Sequence, residues 1–261
     1  MRTGSVALVT GGSRGVGRAV AEALAAAGVR VATVSRGGGG PVAGGIDLKA
    51  DVSSPGEVER LREEVVGRLG DVSVLVNAAG VFGPLDTVTR CAPEAWVDTL
   101  TVDVSGVFLT CRAFAPAMVE RGWGRIVNVS SAAALHPPGP LASAYSTSKV
   151  AVNHLTRCLA AELEGTGVTA NAIHPGDLRT AMWSDIRDQA AALGERGAPL
   201  TAWSDWVEET GGDPPERAAD LVLRLCAEQS GSVNGRFLWI EDGLQPPRPS
   251  WGDESVPLPW A

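Results

Sequence analysis

The chain has 261 residues, 44% of them hydrophobic and 20% charged, and its 22 Lys and Arg against 30 Asp and Glu give a formal net charge of −8. This length suits one α/β domain, and the composition excludes a disordered, collagen-like or coiled-coil chain. The negative charge argues against nucleic acids and anionic membranes as partners and favours a small molecule.

The first elements in chain order predict a βαβ unit. Residues Val6–Thr10 form a short β-branched and apolar run, a glycine-rich turn follows, and 17–27 has the apolar spacing of a helix. A second predicted strand, 29–35, starts directly after Gly28, a typical helix end. Two strands and a helix within about thirty residues imply that the strands are parallel.

The rest of the chain continues this alternation. Further strands are predicted at 72–76, 125–129, 168–173 and 237–240, and helices around 55–69, 93–119, 141–164 and 215–228. We therefore expect an α/β fold with a Rossmann-like, doubly wound parallel sheet flanked by helices, forming a single domain over residues 1–245.

Three segments depart from the alternation. Residues 37–45 contain six glycines and one proline, which predicts a loop. Residues 181–213 form a long excursion before the last helix, typical of a lid over a substrate site or of disorder. The proline-rich segment 246–261 is predicted to be an extended tail, either disordered or an arm that packs on a neighbouring subunit.

Cysteine and histidine usage gives no sign of a disulfide framework or a metal site. The four cysteines are widely spaced without a CxxC pair, and the three histidines lack paired-ligand spacing. The N-terminus lacks the pattern of a secretory signal, and no run reaches the roughly 18 uninterrupted apolar residues of a membrane span. We expect a cytoplasmic protein without a metal.

The turn after the first predicted strand has the composition of a phosphate-binding loop. It consists of Thr10, Gly11, Gly12, Ser13, Arg14, Gly15, Val16 and Gly17. Glycines permit a sharp turn and let a pyrophosphate approach the backbone, and the start of the following helix favours an anion. The turn therefore predicts a dinucleotide site.

The end of the second predicted strand indicates which dinucleotide binds. An acidic residue there would bond the ribose hydroxyls of NAD and repel a 2′-phosphate, but this chain has Ser35 and Arg36. Arg14 supplies a second guanidinium, a group suited to phosphate. We predict NADP(H) over NAD(H); the alternative is that both arginines are solvated surface residues.

Tyr145 and Lys149 are predicted to form an acid–base pair. They stand four residues apart in a predicted helix, so both side chains lie on one face, and Tyr145 is the only tyrosine in the chain. A free phenol has a pKa of about 10, and a nearby ammonium favours the phenolate. The pair is therefore suited to protonating a carbonyl oxygen; the alternative is an exposed helical pair with no role in chemistry.

The order of these motifs resembles the short-chain dehydrogenase/reductase family over roughly residues 5–243. The segment 10–17 resembles the family's cofactor turn, and 145–149 its Tyr-x-x-x-Lys motif. Further matches are Asp51 and Val52 with the adenine-side pair, Asn77, Ala78, Ala79 and Gly80 with the fourth-strand motif, and Pro175, Gly176, Leu178 and Thr180 with the segment that holds the nicotinamide amide.

The resemblance implies roles for four residues. Ser131, rather than the adjacent Ser130, would polarise the substrate carbonyl, Tyr145 would donate the proton, and Lys149 would favour the phenolate and hold the cofactor ribose. Where the family has an asparagine that holds a water in a proton relay, this chain has Asp103. A carboxylate there would hold Lys149 protonated while partly cancelling its field at Tyr145.

The resemblance also implies a substrate region after Thr180. This region offers Met182, Trp183, Trp203 and Trp206, and His136 is expected at the far rim. Indole walls favour a bulky apolar or aromatic carbonyl compound, although these tryptophans could instead pack the excursion or form a subunit interface.

The expected activity is that of an NADPH-dependent ketoreductase. The alternatives are an alcohol dehydrogenase running the reverse reaction and a non-redox, cofactor-binding regulator or scaffold. Family members are commonly homotetramers or homodimers built on the long helices corresponding to 93–119 and 141–164.

Overall fold

A seven-stranded parallel sheet forms the centre of the computed structural model, which describes residues 1–135, 139–240 and 244. The strands are β1 (Val6–Thr10), β2 (Arg30–Ser35), β3 (Ile46–Lys49), β4 (Val74–Asn77), β5 (Gly124–Val129), β6 (Val168–His174) and β7 (Phe237–Trp239). Their order across the sheet is β3-β2-β1-β4-β5-β6-β7. This confirms the predicted doubly wound, single-domain fold.

Within the described ranges, eight α-helices accompany the strands. They are α1 (Gly15–Ala26), α2 (Pro55–Leu69), α3 (Pro93–Leu100), α4 (Gly106–Glu120), α5 (Ser143–Glu162), α6 (Ala181–Ala192), α7 (Ala198–Thr210) and α8 (Pro215–Leu225). A π-helical turn, Thr101–Ser105, joins α3 to α4 without a break. Short 3₁₀ turns occupy Ala132–Ala134, Gly194–Gly197 and Glu228–Ser232.

Helices cover both faces of the sheet. One apolar cluster packs α2, α4 and α5 on one face, and a second packs α1 and α8 on the other. All five residues of β1 are buried. Strands buried on both faces are expected to be nearly continuous apolar runs, which is why their positions were predictable.

The structure differs from the sequence-based expectation in two places. The segment 37–45 is a loop as predicted, but it is followed by an additional edge strand, β3, whose sequence IDLK alternates in polarity. Most of the excursion 181–213 folds into α6 and α7 and is therefore helical instead of disordered, while its role as a lid stays a prediction. The predicted tail 246–261 and the end of the predicted domain lie outside the described residues.

The continuous helical run Pro93–Glu120 is long and apolar enough, by length and composition alone, to cross a membrane. Its most apolar window has a mean hydropathy of 1.4, and 44% of that window is buried inside the molecule. A partly buried core helix passes the same test, so this is weak evidence for a membrane span.

Candidate active site

A cleft of about 1260 Å³ opens at the carboxyl ends of the strands. It extends from the ends of β1 and β2 to α6, and it includes the point between β1 and β4 where the strand order reverses, the usual ligand site of open α/β sheets. Most of the predicted cofactor residues line it: Gly11, Ser13, Arg14, Gly15, Val16, Gly17, Ser35, Arg36, Asp51, Val52, Ala78, Ala79, Gly80, Pro175, Gly176, Leu178 and Thr180.

The glycine turn leads directly into the amino end of α1. Gly11 has a φ of +65°, and a Cβ there would lie 2.7 Å from the carbonyl oxygen of Ala78, so only glycine fits. The capping residue Arg14 makes no side-chain capping bond, and the first turn of α1 carries no acid. Its backbone N–H groups are therefore suited to an anion, and this end of the cleft fits the pyrophosphate of a dinucleotide.

Two predicted cofactor residues lie beneath the cleft instead of lining it. The Thr10 hydroxyl accepts hydrogen bonds of 3.1 Å from the backbone N–H groups of Ala78 and Ala79. The Asn77 amide is buried and donates to the Asn128 side chain at 2.9 Å. Thr10 and Asn77 hold the wall of the cleft in place, a positioning role that the motif alone did not reveal.

The far end of the cleft presents no acidic side chain at the tip of β2. The Ser35 hydroxyl accepts from the backbone N–H of Gly38 at 2.9 Å, and Arg36 lines the cleft beside it. Hydrogen bonds from the side chain and backbone of Ser53 hold the pKa of Asp51 below its usual value despite partial burial, and the nearby Arg36 charge adds to the effect. Asp51 is thus an internally bonded carboxylate.

Tyr145 and Lys149 lie on the same face of α5, as predicted, and both line the cleft. The Lys149 Nζ is 5.2 Å from the centre of the Tyr145 ring. Phe82 stacks on the Tyr145 ring, with the ring centres 4.5 Å apart and the planes inclined by 28°. Phe82 was not predicted, although its position two residues after the Asn77–Gly80 motif was a usable signal.

Ser130 and Ser131 follow β5 but have different environments. The Ser130 hydroxyl is buried and donates to the backbone carbonyl of Lys149 at 3.3 Å. The Ser131 hydroxyl accepts from the backbone N–H of Ala133 at 3.2 Å, which leaves its own proton free to be directed elsewhere. His174, a residue not predicted, accepts from the neighbouring Ala132 N–H through Nδ1 at 3.2 Å. These contacts favour Ser131 as the hydroxyl that serves the cleft.

Asp103 lies in the π-helical turn and makes a direct ion pair with Lys149. Its side chain is fully buried, and Oδ2 lies 3.2 Å from Lys149 Nζ. The same oxygen accepts from Ser148 at 2.8 Å, while Oδ1 accepts from the backbone N–H of Val81 at 2.8 Å. The carboxylate therefore joins α5 to the wall of the cleft, next to Gly80, where a Cβ would lie 3.2 Å from Oδ1.

The ion pair determines the protonation of Lys149. Burial lowers the pKa of this ammonium, but the charges of Asp103 and Tyr145 and the hydrogen bond to Asp103 raise it further than burial lowers it. The pKa of Lys149 thus lies above its ordinary value of 10.5. Lys149 is a permanent cation at neutral pH, which agrees with the expectation drawn from the aspartate.

The other end of the cleft is mainly apolar, although Asp177, Arg179 and Arg196 also line it. Met182, Trp183 and Trp203 line it as predicted. The structure does not bring Trp206 to the cleft, since that side chain is 50% exposed on α7. His136 lies outside the described residues. Trp183 also donates to the Ser204 carbonyl at 3.2 Å, so it packs α6 on α7, as the packing alternative for the tryptophans anticipated.

A small apolar cluster supports this end of the cleft. Its buried members are Leu85, Leu141, Ile186 and Ala190, and its partly buried members include Phe82, Met182, Leu200 and Trp203. The Trp203 indole donates to the Asp177 carboxylate at 3.2 Å. Across the described ranges, no group of three or more His, Cys, Asp or Glu side chains could hold a metal ion.

A dinucleotide turn and a hydroxyl–phenol–ammonium set in one cleft define an oxidoreductase that acts on alcohol or carbonyl groups with a nicotinamide cofactor. The family model for short chain dehydrogenases matches residues 5–191. The chain belongs to the short-chain dehydrogenase/reductase family.

The chain is similar to proteins named as dehydrogenases and to proteins named as reductases. A short chain dehydrogenase of Pseudocercospora fijiensis is 37% identical, with 93% of this chain and 82% of that protein covered. The 3-oxoacyl-[acyl-carrier-protein] reductase FabG of Escherichia coli is 30% identical, with 92% and 97% covered. The structure of an actinorhodin polyketide ketoreductase variant with NADPH superposes with a TM-score of 0.81 at 32% identity, with 92% and 97% covered.

Proposed function

We propose that this protein is an NADPH-dependent ketoreductase that reduces a carbonyl group of a bulky apolar or aromatic substrate. The observation that carries the proposal is one cleft that joins the glycine turn to Ser131, Tyr145 and Lys149 and continues into an apolar end. When bound, the reduced cofactor would supply a hydride to the carbonyl carbon.

The chain's own residues would stabilise and protonate the oxygen that receives the charge. Tyr145 would donate its phenolic proton to that oxygen, and the Ser131 hydroxyl, whose lone pair is already engaged by the Ala133 N–H, would donate a hydrogen bond to it. Lys149 would stabilise the tyrosinate that remains, because its ammonium lies over the ring and is kept charged by Asp103.

The choice of NADPH is supported by the residues at the tip of β2. Ser35 occupies the position where an acid would repel a 2′-phosphate, and the Arg36 and Arg14 guanidiniums line the same end of the cleft. The relative solved with NADPH is consistent with this choice.

The substrate class is supported by the apolar cluster at the other end. Phe82, Leu141, Met182 and Trp203 offer flat or aliphatic walls, which suit a ring system better than a small polar ketone. One structural relative is named a polyketide ketoreductase, and that name points to the same substrate class for this chain.

Location and assembly are also proposals. All four cysteines are free, which supports a reducing cytoplasm. Phe108 on α4 is 49% exposed and Val97 on α3 is 54% exposed, which supports a homotetramer or homodimer through this helical run. Light scattering of the wild type and of Phe108→Lys tests the assembly.

Turnover of a carbonyl panel tests the function. Aromatic and bicyclic ketones are compared with small polar ketones, each with NADPH and with NADH. We expect the highest kcat/KM with NADPH and a bulky aromatic ketone. Equal or better efficiency with NADH would refute the cofactor choice. NADPH binding without turnover of any carbonyl would favour the alternative of a non-redox, cofactor-binding regulator or scaffold.

A further inference from the structure

Four consecutive glycines, residues 37–40, leave the end of β2 and form part of the cleft wall. We refer to them as the glycine strap. Gly37 and Gly38 line the cleft directly after Ser35 and Arg36. Glycine has more backbone freedom than any other residue, so a four-glycine run keeps one path only where contacts outside it fix that path. The structure supplies such contacts on both sides of the strap.

Asp47 on the edge strand β3 fixes the strap from below. Its Oδ2 accepts from the backbone N–H groups of Gly39 at 2.9 Å and of Gly40 at 3.0 Å. Its Oδ1 accepts from the buried Thr33 hydroxyl at 2.7 Å, which orients the carboxylate. Burial raises the pKa of Asp47, but these hydrogen bonds and the charge of Arg18 outweigh burial, so the carboxyl is ionised at neutral pH.

The strap also rests on the phosphate-binding turn. A Cβ on Gly39 would lie 2.5 Å from both Cα and Cβ of Ser13, so the strap is in direct contact with a residue of that turn. Arg18 on α1 donates to the Gly40 carbonyl at 2.7 Å. The strap is thereby held between β3, α1 and the turn, and its first residues are continuous with Arg36.

We propose that Asp47 is a positioning residue for cofactor selection: by fixing the glycine strap, it holds Ser35 and Arg36 where they meet the 2′-phosphate of NADPH. The inference rests on the proposed NADPH preference. The glycine turn and α1 keep their own contacts without Asp47, so the pyrophosphate common to both cofactors stays bound. Loss of the Asp47 carboxylate therefore weakens the binding of NADPH and leaves the binding of NADH unchanged.

Equilibrium binding of NADPH and NADH to Asp47→Asn tests the proposal without any need for turnover. We expect the Kd for NADPH to rise by about tenfold, the effect of one charge-assisted hydrogen bond, while the Kd for NADH changes by less than about twofold. Glu64→Gln is the matched control, because Glu64 is an exposed residue of α2 that bonds Arg68 at 2.9 Å and does not line the cleft, and both Kd values should stay unchanged.

Thermal unfolding shows whether each variant is still folded, so that a loss of binding caused by unfolding can be recognised. An equal rise of both Kd values in a folded Asp47→Asn protein, or no rise at all, would overturn the positioning role. Wild-type protein that binds NADH as tightly as NADPH would instead refute the proposed cofactor choice, and the selective role of Asp47 with it.

Discussion

Replacement of Asp103 by Asn removes one charge from a buried ion pair and preserves the shape of the side chain. The Lys149 ammonium would stay buried opposite a neutral amide. At the observed 3.2 Å and an effective dielectric constant of about 20, the lost Coulomb attraction is roughly 5 kcal/mol. A single amide oxygen cannot replace both carboxylate oxygens, because Oδ1 accepts from Val81 and Oδ2 accepts from Lys149 and Ser148, so the amide N–H group faces a donor on one side. In partial compensation, the variant no longer buries a carboxylate. We therefore expect the free energy of unfolding at pH 7 to fall by about 3 kcal/mol.

The loss of unfolding free energy in Asp103→Asn depends on pH in a defined direction. In the wild type the raised pKa of Lys149 stabilises the fold fully below the ordinary lysine pKa of 10.5, and this stabilisation is lost as the pH rises through the folded value. In the variant Lys149 is still buried but has lost its negatively charged partner, so its pKa moves down. Its charge then destabilises the fold at neutral pH, and deprotonation relieves that cost as the pH rises. The stability gap is therefore largest near neutrality and narrows in alkali.

Denaturant unfolding of both proteins between pH 7 and pH 10 measures this gap. Catalytic activity of Asp103→Asn should stay within about tenfold of the wild type, because Tyr145 and Lys149 keep their positions, while the alkaline limb of the pH–rate profile moves to lower pH. An unchanged free energy of unfolding at pH 7, or a gap that is independent of pH, would refute the reasoning. Complete inactivation of a folded variant would contradict the assigned role of Asp103.

Substitutions at Ser131, Arg36 and Phe82, with controls, test separate parts of the site. Ser131→Ala should lower kcat by about 10²-fold as an oxyanion donor is lost, whereas Ser130→Ala should lower it by less than about tenfold; similar losses in steady-state kinetics would contradict the assignment. Arg36→Asp should reduce kcat/KM for NADPH by at least about tenfold and spare NADH, and a parallel loss with both cofactors would speak against a 2′-phosphate contact. Phe82→Leu removes the ring stacked on Tyr145 and should lower kcat/KM by about fivefold, with Phe82→Trp closer to the wild type; equal values for Leu and Phe would exclude a role for the stack.

The doubly wound fold was predictable because its strands are buried on both faces and its helices start and end at clear signals. Helix α2 has the predicted bounds, with proline at its first position and glycine after its end. Edge strand β3 was not predicted, because it has only four residues directly after the glycine-rich loop, too few for their alternating polarity to be a clear signal, and pairing with β2 gives them their order. The π-helical turn at Asp103 was hidden for a similar reason: a change of helical pitch within an apolar run leaves no local signal.

For the site, short motifs predicted which residues meet, and long-range contacts decided what each one does. Spacing alone brought Tyr145 and Lys149 together. Only the structure shows that Thr10 supports the cleft wall from beneath and that Phe82 stacks on the phenol, because both contacts join residues far apart in the chain. Composition alone could not show that Trp206, a tryptophan in the predicted substrate region, faces solvent instead of the cleft.

The central claim is that Tyr145 protonates a carbonyl oxygen in an NADPH-dependent reduction, and Tyr145→Phe tests it most directly. NADPH affinity and the rate of ketone reduction at saturating NADPH are measured on the same preparations of wild type and variant. The account predicts that the rate falls by at least about 10²-fold, the usual contribution of a general acid, while the Kd for NADPH changes by less than about threefold. A variant that binds NADPH normally and still reduces the ketone at a rate near that of the wild type would contradict it.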